Sequence, residues 1–171
     1  MNNPPLSKDK QLPNGGGAEV DDPVSTGHCR GVRLLKFPLL PDPRGNLVFA
    51  EFPRHLPFQP KRYFITYDVP IHSVRGEHAH KQLEQLIVCL KGALVVTVDD
   101  GNVREQYTLD SPDVGLYLPP LIWGIQTGHS PDCLMLVLAS EVYDEADYLR
   151  NYDAFMACVQ ARRANPEGFN Q

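Results

Sequence analysis

The sequence has no segment that would place it in a membrane or direct it out of the cell. No run approaches the roughly 18 consecutive apolar residues of a membrane span. The N-terminal sequence M-N-N-P-P-L-S-K contains no apolar segment typical of a secretory signal. The chain has only four cysteines, with no C-x-x-C pair among them. We therefore expect a cytoplasmic protein with buried free thiols and no membrane partner.

Positive charge is also scarce. The chain carries 16 Lys and Arg against 21 Asp and Glu, a formal net charge of −5. Because nucleic-acid binding needs a basic face, we expect no nucleic-acid partner, although a few local arginines would suffice for an anionic small molecule. The 171 residues, 42% of them hydrophobic, are enough for one domain with a proper core.

The first 30 residues differ in composition from the rest of the chain. They are rich in Pro, Gly, Asn and Asp, and three consecutive glycines occupy residues 15–17. Such a segment buries little apolar surface, so we expect residues 1–30 to form a disordered N-terminal tail. The folded domain is then expected to span residues 31–165.

Short apolar and β-branched runs, separated by turn residues, dominate the remainder. They predict strands near residues 47–52, 62–69, 84–90, 93–98, 103–109, 115–118, 122–127 and 133–139. The D-D-G sequence at residues 99–101 is typical of a hairpin turn. Only the segment from residue 144 to about residue 163 has helical character. The pattern therefore predicts an all-β sandwich or barrel with a short C-terminal helix.

A pair of histidines is the feature most suggestive of chemistry. His78 and His80 occur in the sequence R-G-E-H-A-H at residues 75–80. Residues i and i+2 of a strand point to the same face, so both imidazoles should enter the same side of the barrel. Imidazole titrates near physiological pH and suits proton transfer. Arg75 beside them offers a planar set of donors suited to phosphate.

Three explanations of this pair are compatible with the residues alone. The histidines could be hydrogen-bonded structural residues, although inward polar side chains are costly in a core. They could bind a divalent metal together with Glu84. The expected fourth ligand is missing, however, because Trp123 is followed by Gly124, and the next histidine, His129, lies in a turn-like stretch. The third explanation is metal-free acid–base chemistry on an anionic sugar substrate.

The chain resembles the dTDP-4-keto-6-deoxyglucose 3,4-ketoisomerases, which are cupin enzymes of deoxysugar biosynthesis. The R-G-E-H-A-H-K sequence at residues 75–81 matches their R-G-x-H-A-H-K motif. Further matches follow in the family's order and spacing at residues 41–47 (P-D-P-R-G-N-L), 61–68 (K-R through Y-D), 83–90 (L-E-Q-L-I-V-C-L), 109–117 (L-D-S-P through G-L-Y) and 138–153 (L-A-S through Y-D-E-A-D-Y-L-R-N-Y-D).

The resemblance implies a fold, a reaction and a set of site residues. The fold is a double-stranded β-helix, or cupin jelly-roll barrel, acting as a homodimer. The reaction converts a dTDP-linked 4-keto-6-deoxyhexose to its 3-keto isomer through an enediol(ate), with no metal or other cofactor. His78 and His80 match the catalytic pair. The implied substrate-binding residues are Arg44, Arg62 and Arg75, for the pyrophosphate or the enolate oxygen, and Tyr67, Tyr117 and Trp123, for the sugar or the thymine.

Departures from the family pattern leave alternatives open. Many members have a histidine where this chain has Gly124, and some have tyrosine where it has Phe64 and Ile65. Both positions bear on the preferred substrate and on the configuration of the product. The arginines could instead form ordinary ion pairs, and the aromatic residues could belong to the core. A nucleotide-sugar epimerase, a metal-binding cupin and a non-catalytic sugar-nucleotide-binding cupin are the alternative functions.

Overall fold

The computed structural model of the chain describes residues 25–26 and 28–165. Most of the expected N-terminal tail therefore lies outside the described residues. The part that is described belongs to the folded domain, because Ser25–Thr26 pair with the next strand and Cys29 is fully buried in the core. No helix in the described ranges is long and apolar enough to cross a membrane.

The described residues form short strands with one α-helix near the C-terminus. In chain order the elements are β1 (Ser25–Thr26), β2 (Arg33–Lys36), β3 (Leu39–Leu40), β4 (Leu47–Val48), β5 (Arg62–Tyr67), β6 (Arg75–His80), β7 (Gln85–Lys91), β8 (Leu94–Asp99), β9 (Arg104–Leu109), β10 (Val114–Leu118), β11 (Trp123–Thr127), β12 (Leu134–Ala139), a 3-10 helix (Glu145–Asp147), β13 (Tyr148–Leu149) and α1 (Tyr152–Ala164).

Two antiparallel sheets form the barrel. The larger has the strand order β1-β2-β10-β7-β12-β5, and the smaller has the order β13-β6-β11-β8-β9. Apolar side chains from both sheets meet between them, including Ile87 and Val137 from the larger sheet and Val96 from the smaller. Burying these faces against each other holds the two layers together. The predicted all-β, double-stranded β-helix with a short C-terminal helix is confirmed.

The C-terminal segment is more divided than the sequence indicated. The predicted helix over residues 144–163 was wrong in its first part, where Asp144 caps a 3-10 turn by accepting a hydrogen bond from the Ala146 N–H at 2.9 Å. Tyr148–Leu149 then pair with the end of β6, which holds them extended. The α-helix begins only at Tyr152 and packs Phe155 against the outer face of the smaller sheet.

Candidate active site

The two histidines lie side by side on the inner face of β6. Their ring centroids are 5.1 Å apart. Ala79 between them points to the opposite face, where it packs with the buried residues beneath α1. His80 is only 5% exposed and His78 is half-buried. The sequence prediction that both imidazoles enter one side of the barrel therefore agrees with the structure.

A β-bulge at the start of β6 sets the position of this pair. His78 pairs with Gly124, whereas Ile125 pairs with Gly76, so Glu77 is an extra residue on β6. Gly76 has φ +81°, and a Cβ there would lie 2.6 Å from the carbonyl oxygen of Gly124. Glycine is required because both the backbone conformation and the close strand approach exclude a side chain.

His80 is held by a carboxylate that is distant in sequence. Its Nδ1 lies 2.8 Å from Oδ2 of Asp147, and Oδ1 of Asp147 accepts a hydrogen bond from the Gln82 N–H at 2.8 Å. An ionised carboxylate only accepts hydrogen bonds, so Nδ1 of His80 carries the proton and Nε2 keeps its lone pair. Asp147 was not among the residues predicted from the sequence, although it lies within the matched motif at residues 138–153.

Burial keeps both imidazoles neutral. It lowers the pKa of His80 to about 4, and the nearby His78 and Arg62 act in the same direction, against the opposing effect of Asp147. Burial also lowers the pKa of His78, whose Nδ1 donates to the Gly76 carbonyl oxygen at 2.9 Å. At neutral pH both residues therefore present an unprotonated Nε2, which is the form that can accept a proton.

Aromatic and charged residues from the segment before α1 line the same region. The ring of Tyr148 lies 4.3 Å from that of His80 and 5.1 Å from that of His78, centroid to centroid. The Arg150 guanidinium stacks on Tyr148 at 4.3 Å and forms two hydrogen bonds with Glu145, of 3.0 and 3.1 Å. The sequence prediction missed these residues, because nothing local indicates that residues 145–150 return to the end of β6.

Arg62 is a half-buried cation without a hydrogen-bond partner on two of its nitrogens. Its Nε and Nη2 are buried and bond to no atom of the described residues. The guanidinium lies 5.5 Å from the ring of Phe64 and 5.4 Å from that of Tyr143. Buried N–H groups without an acceptor are costly in free energy, so this arrangement favours an anionic or polar ligand inside the barrel. Among the predicted substrate-binding residues, Arg62 is the one that the structure brings near His80.

The predicted aromatic contacts do not lie beside the histidines. Strand alternation places Tyr67 on the outer side of β5, where it is 64% exposed. Tyr117 packs on the outer face of the larger sheet with Phe58, and its hydroxyl donates to Glu84. Trp123 packs beneath α1. Within one chain, the expected contacts of these three residues with the sugar or the thymine therefore gain no support from the geometry.

The remaining predicted arginines lie at the surface. The Arg44 side chain is 85% exposed and forms an ion pair with Asp42 of the same turn, with Nε 2.8 Å from Oδ1. Arg75 is exposed at the start of β6 and lies near the buried His129. Their predicted contacts with the pyrophosphate stay predictions, because neither guanidinium is directed into the barrel by a contact in the structure.

The metal-ligand set considered from the sequence is not assembled. In the part of the chain that the structure describes, no group of three or more His, Cys, Asp or Glu side chains is arranged to hold a metal ion. Glu84 accepts a hydrogen bond from Tyr117, whose ring packs on the outer face, while His129 is buried elsewhere. The polar groups near His80 are instead the Gln85 amide, the Asp147 carboxylate and the Arg62 guanidinium. Such a set suits proton transfer.

Comparisons with known proteins identify the family of this chain. The family described as "FdtA: WxcM-like, C-terminal" matches residues 30–160. The chain is 44% identical over 136 residues to the TDP-4-oxo-6-deoxy-alpha-D-glucose-3,4-oxoisomerase of Aneurinibacillus thermoaerophilus, covering 80% of this chain and 98% of that protein.

Two solved structures are also similar. QdtA, a sugar 3,4-ketoisomerase from Thermoanaerobacterium thermosaccharolyticum solved with TDP, shares 37% identity at a TM-score of 0.76, covering 78% of this chain and 97% of that one. A 3,4-ketoisomerase from Helicobacter canadensis shares 34% identity at a TM-score of 0.74, covering 76% and 98%. The resemblance seen in the sequence motifs is thereby confirmed, and the chain belongs to the FdtA, WxcM-like C-terminal family of cupins, which includes the TDP-sugar 3,4-ketoisomerases.

Proposed function

We propose that this chain is an enzyme that isomerises dTDP-4-keto-6-deoxy-D-glucose to its 3-keto isomer in amino-deoxysugar biosynthesis. The observation that carries this proposal is a neutral His80, oriented by Asp147, in a barrel that also holds the Arg62 guanidinium, two of whose nitrogens lack a hydrogen-bond partner. A base and an anion-stabilising donor are the two groups that an enolisation needs. The relatives at 34–44% identity are named as 3,4-ketoisomerases or oxoisomerases, and the name of the 44% identical one includes TDP-4-oxo-6-deoxy-glucose.

The reaction balances without a redox cofactor. The ketone at carbon 4 acidifies the hydrogen on carbon 3, and Nε2 of a histidine removes that proton. The C–H electron pair becomes the C3–C4 double bond, and the carbonyl becomes an enediolate oxygen. Carbon 4 then takes a proton, the hydroxyl on carbon 3 gives up its proton while the enediolate oxygen on carbon 4 gains one, and the ketone forms at carbon 3. General acid–base catalysis of this type contributes typically about 10²–10⁴-fold.

We assign the carbon proton transfer to His80. Its Asp147 partner fixes the ring and stabilises the imidazolium that forms, a role that the Gly76 carbonyl fills less strongly for His78. His78, at 5.1 Å between ring centroids, is placed to move the hydroxyl proton between the two oxygens. Arg62 stabilises the enediolate oxygen, because its two buried nitrogens and its position near His80 suit the sugar better than the pyrophosphate. Arg44 and Arg75 remain candidates for the pyrophosphate.

The active form that we propose is a homodimer. The outer side of the edge strand β5 exposes Tyr63, Ile65 and Tyr67 at 69%, 44% and 64%. An apolar groove of about 450 Å³ lies on the outer face of the same sheet, lined by residues that include Leu86, Val88 and Leu138. Monomers rarely leave such a surface and an unpaired strand edge uncovered. Light scattering should give a dimer, and Ile65→Lys should yield monomers; a monomeric parent chain would contradict this.

The location that we propose is the cytoplasm. All four cysteines of the chain are free, and Cys29, Cys89 and Cys133 are buried. Unpaired thiols are typical of proteins that fold in a reducing compartment. Fractionation of the source cells should recover the protein with soluble cytoplasmic markers, and recovery in an extracellular fraction would contradict the assignment.

Hydrogen exchange at the sugar carbons tests the reaction. The purified protein is incubated with dTDP-4-keto-6-deoxyglucose in heavy water, and the sugar is followed by NMR. We expect deuterium at carbon 4 together with a ketone at carbon 3. Exchange at carbon 5 would indicate an epimerase instead, and a sugar with neither deuterium nor a ketone at carbon 3 would refute catalysis on this substrate.

Substitution of the histidines tests the site. His78→Asn and His80→Asn should each abolish turnover while TDP binding, measured by calorimetry, is kept. His28→Asn is the matched control, because this histidine is exposed and outside the barrel interior. Full activity in both site variants would show that the site is wrongly assigned.

A further inference from the structure

Gln85 contacts the one nitrogen of His80 that is free to accept a proton. It begins β7 and is half-buried, and its neighbours along the strand alternate between the outer face (Leu86) and the barrel interior (Ile87). Its Nε2 lies 3.3 Å from Nε2 of His80. The Gln85 side chain therefore points to the interior and reaches the lone pair used in the proposed reaction.

The direction of this hydrogen bond follows from the partners of the imidazole. Nδ1 of His80 must carry a proton, because Asp147 can only accept. In a neutral ring, Nε2 is then an acceptor, so the amide of Gln85 donates to it. When His80 takes a proton at Nε2, the two N–H groups would oppose each other. A carboxamide resolves this by turning about its last bond and presenting its oxygen, because it carries both a donor and an acceptor.

On the basis of the proposed function, we propose that Gln85 is a positioning residue for His80 that donates to the neutral imidazole and accepts from the imidazolium. The amide is uncharged, so it supports either proton state without fixing one of them. Leucine at this position would satisfy neither state. Glutamate would favour the imidazolium permanently, because a second carboxylate would then face the ring.

The other groups that face His80 have opposing effects on its protonation, and the Gln85 amide adds no charge to them. They are His78 on the same strand, Arg62 on β5, and Asp147 and Tyr148 from the segment before α1. His78 and Arg62 oppose protonation, whereas Asp147 favours it. A carboxylate added at residue 85 would tip this balance, because it would lie at hydrogen-bond distance from Nε2.

The experiment compares Gln85→Glu with Gln85→Leu and Gln85→Asn, each characterised by kcat/KM for the TDP-4-keto sugar against pH. The acid limb of the parent profile reports protonation of the free base. In Gln85→Glu, a side chain of nearly the same shape, we expect this limb to move upward by about one pH unit or more, which is roughly a tenfold loss at a fixed pH on the limb. Gln85→Leu should lower kcat without an upward shift.

Gln85→Asn keeps the amide but shortens the side chain. It should lower kcat and leave the acid limb in place, so it provides a test even if the glutamate variant does not fold. Equal losses in all three variants with unchanged acid limbs would overturn the inference and leave only a structural role for Gln85. His80→Asn is measured in parallel, since full turnover in that variant would refute the proposed function itself rather than the role of Gln85 alone.

Discussion

Replacing Asp147 by asparagine is the sharpest test of how the site works. The new side chain would be nearly isosteric, and its oxygen can still accept from the Gln82 N–H, as Oδ1 of Asp147 does at 2.8 Å. Its NH₂ group would then face Nδ1 of His80, where the carboxylate oxygen now lies at 2.8 Å. Two donors cannot share that contact, so the imidazole would place its proton on Nε2. The ring would lose the lone pair that removes the proton from carbon 3.

The expected loss follows from this change of tautomer. Acid–base catalysis of this kind contributes typically about 10²–10⁴-fold, or roughly 3–5 kcal/mol of transition-state stabilisation at 1.36 kcal/mol per tenfold. We expect Asp147→Asn to lower kcat by an amount in that range, with KM changed by less than about threefold, because both oxygens of Asp147 are engaged by groups of the protein, His80 and the Gln82 N–H. The assay is the initial rate at which the 3-keto sugar forms, followed by NMR.

The matched control is Asp144→Asn, in the same turn. Asp144 caps the 3-10 helix through the Ala146 N–H and makes no contact with either histidine in the structure. Its substitution should leave kcat within about twofold and change stability by less than about 1 kcal/mol, since asparagine is also a good N-cap. If Asp147→Asn kept the parental kcat, or if both variants lost activity equally, the proposal that Asp147 sets the tautomer of His80 would be refuted.

Three further predictions concern stability and the barrel interior. Arg62→Met should abolish turnover while leaving the free energy of unfolding unchanged or raised, because it removes a cation with two buried nitrogens that lack a partner; urea titration and the NMR assay measure both. Gly76→Ala should destabilise the protein by at least about 1–2 kcal/mol and reduce activity, because its φ of +81° and a carbonyl oxygen 2.6 Å from the new Cβ exclude a side chain; an unchanged melting temperature would contradict this. Burial and the nearby Arg75 lower the pKa of His129, and burial lowers that of His80 to about 4, so the unfolded chain binds more protons below pH about 6.5. The free energy of unfolding should therefore be highest above that pH and decrease toward pH 4. His129→Leu should make this decrease smaller, as measured by urea unfolding at several pH values.

The sequence by itself determined the strands, the pairing of the histidines and the family. Short apolar runs between turn residues are a local signal, because each strand buries its side chains with a period of two. The same period places His78 and His80 on one face wherever the strand lies in the barrel. The two-residue period also predicts that Arg62 and Tyr67, five residues apart, lie on opposite faces of β5. The structure shows this arrangement.

The tertiary structure alone decided which groups surround the pair. Asp147 is separated from His80 by 67 residues, and it arrives there only because Tyr148–Leu149 form backbone hydrogen bonds with the end of β6 instead of continuing a helix. Arg62 and Gln85 lie at the same level of the barrel interior because β12 pairs with both of their strands, with Ala139 opposite each. Such contacts depend on the register between distant strands, and the free energy that sets the register comes from the whole core rather than from any local stretch. The sequence therefore predicts that the two histidines form a reactive pair. Their tautomers, their neutral state and their partners depend on the packing around them.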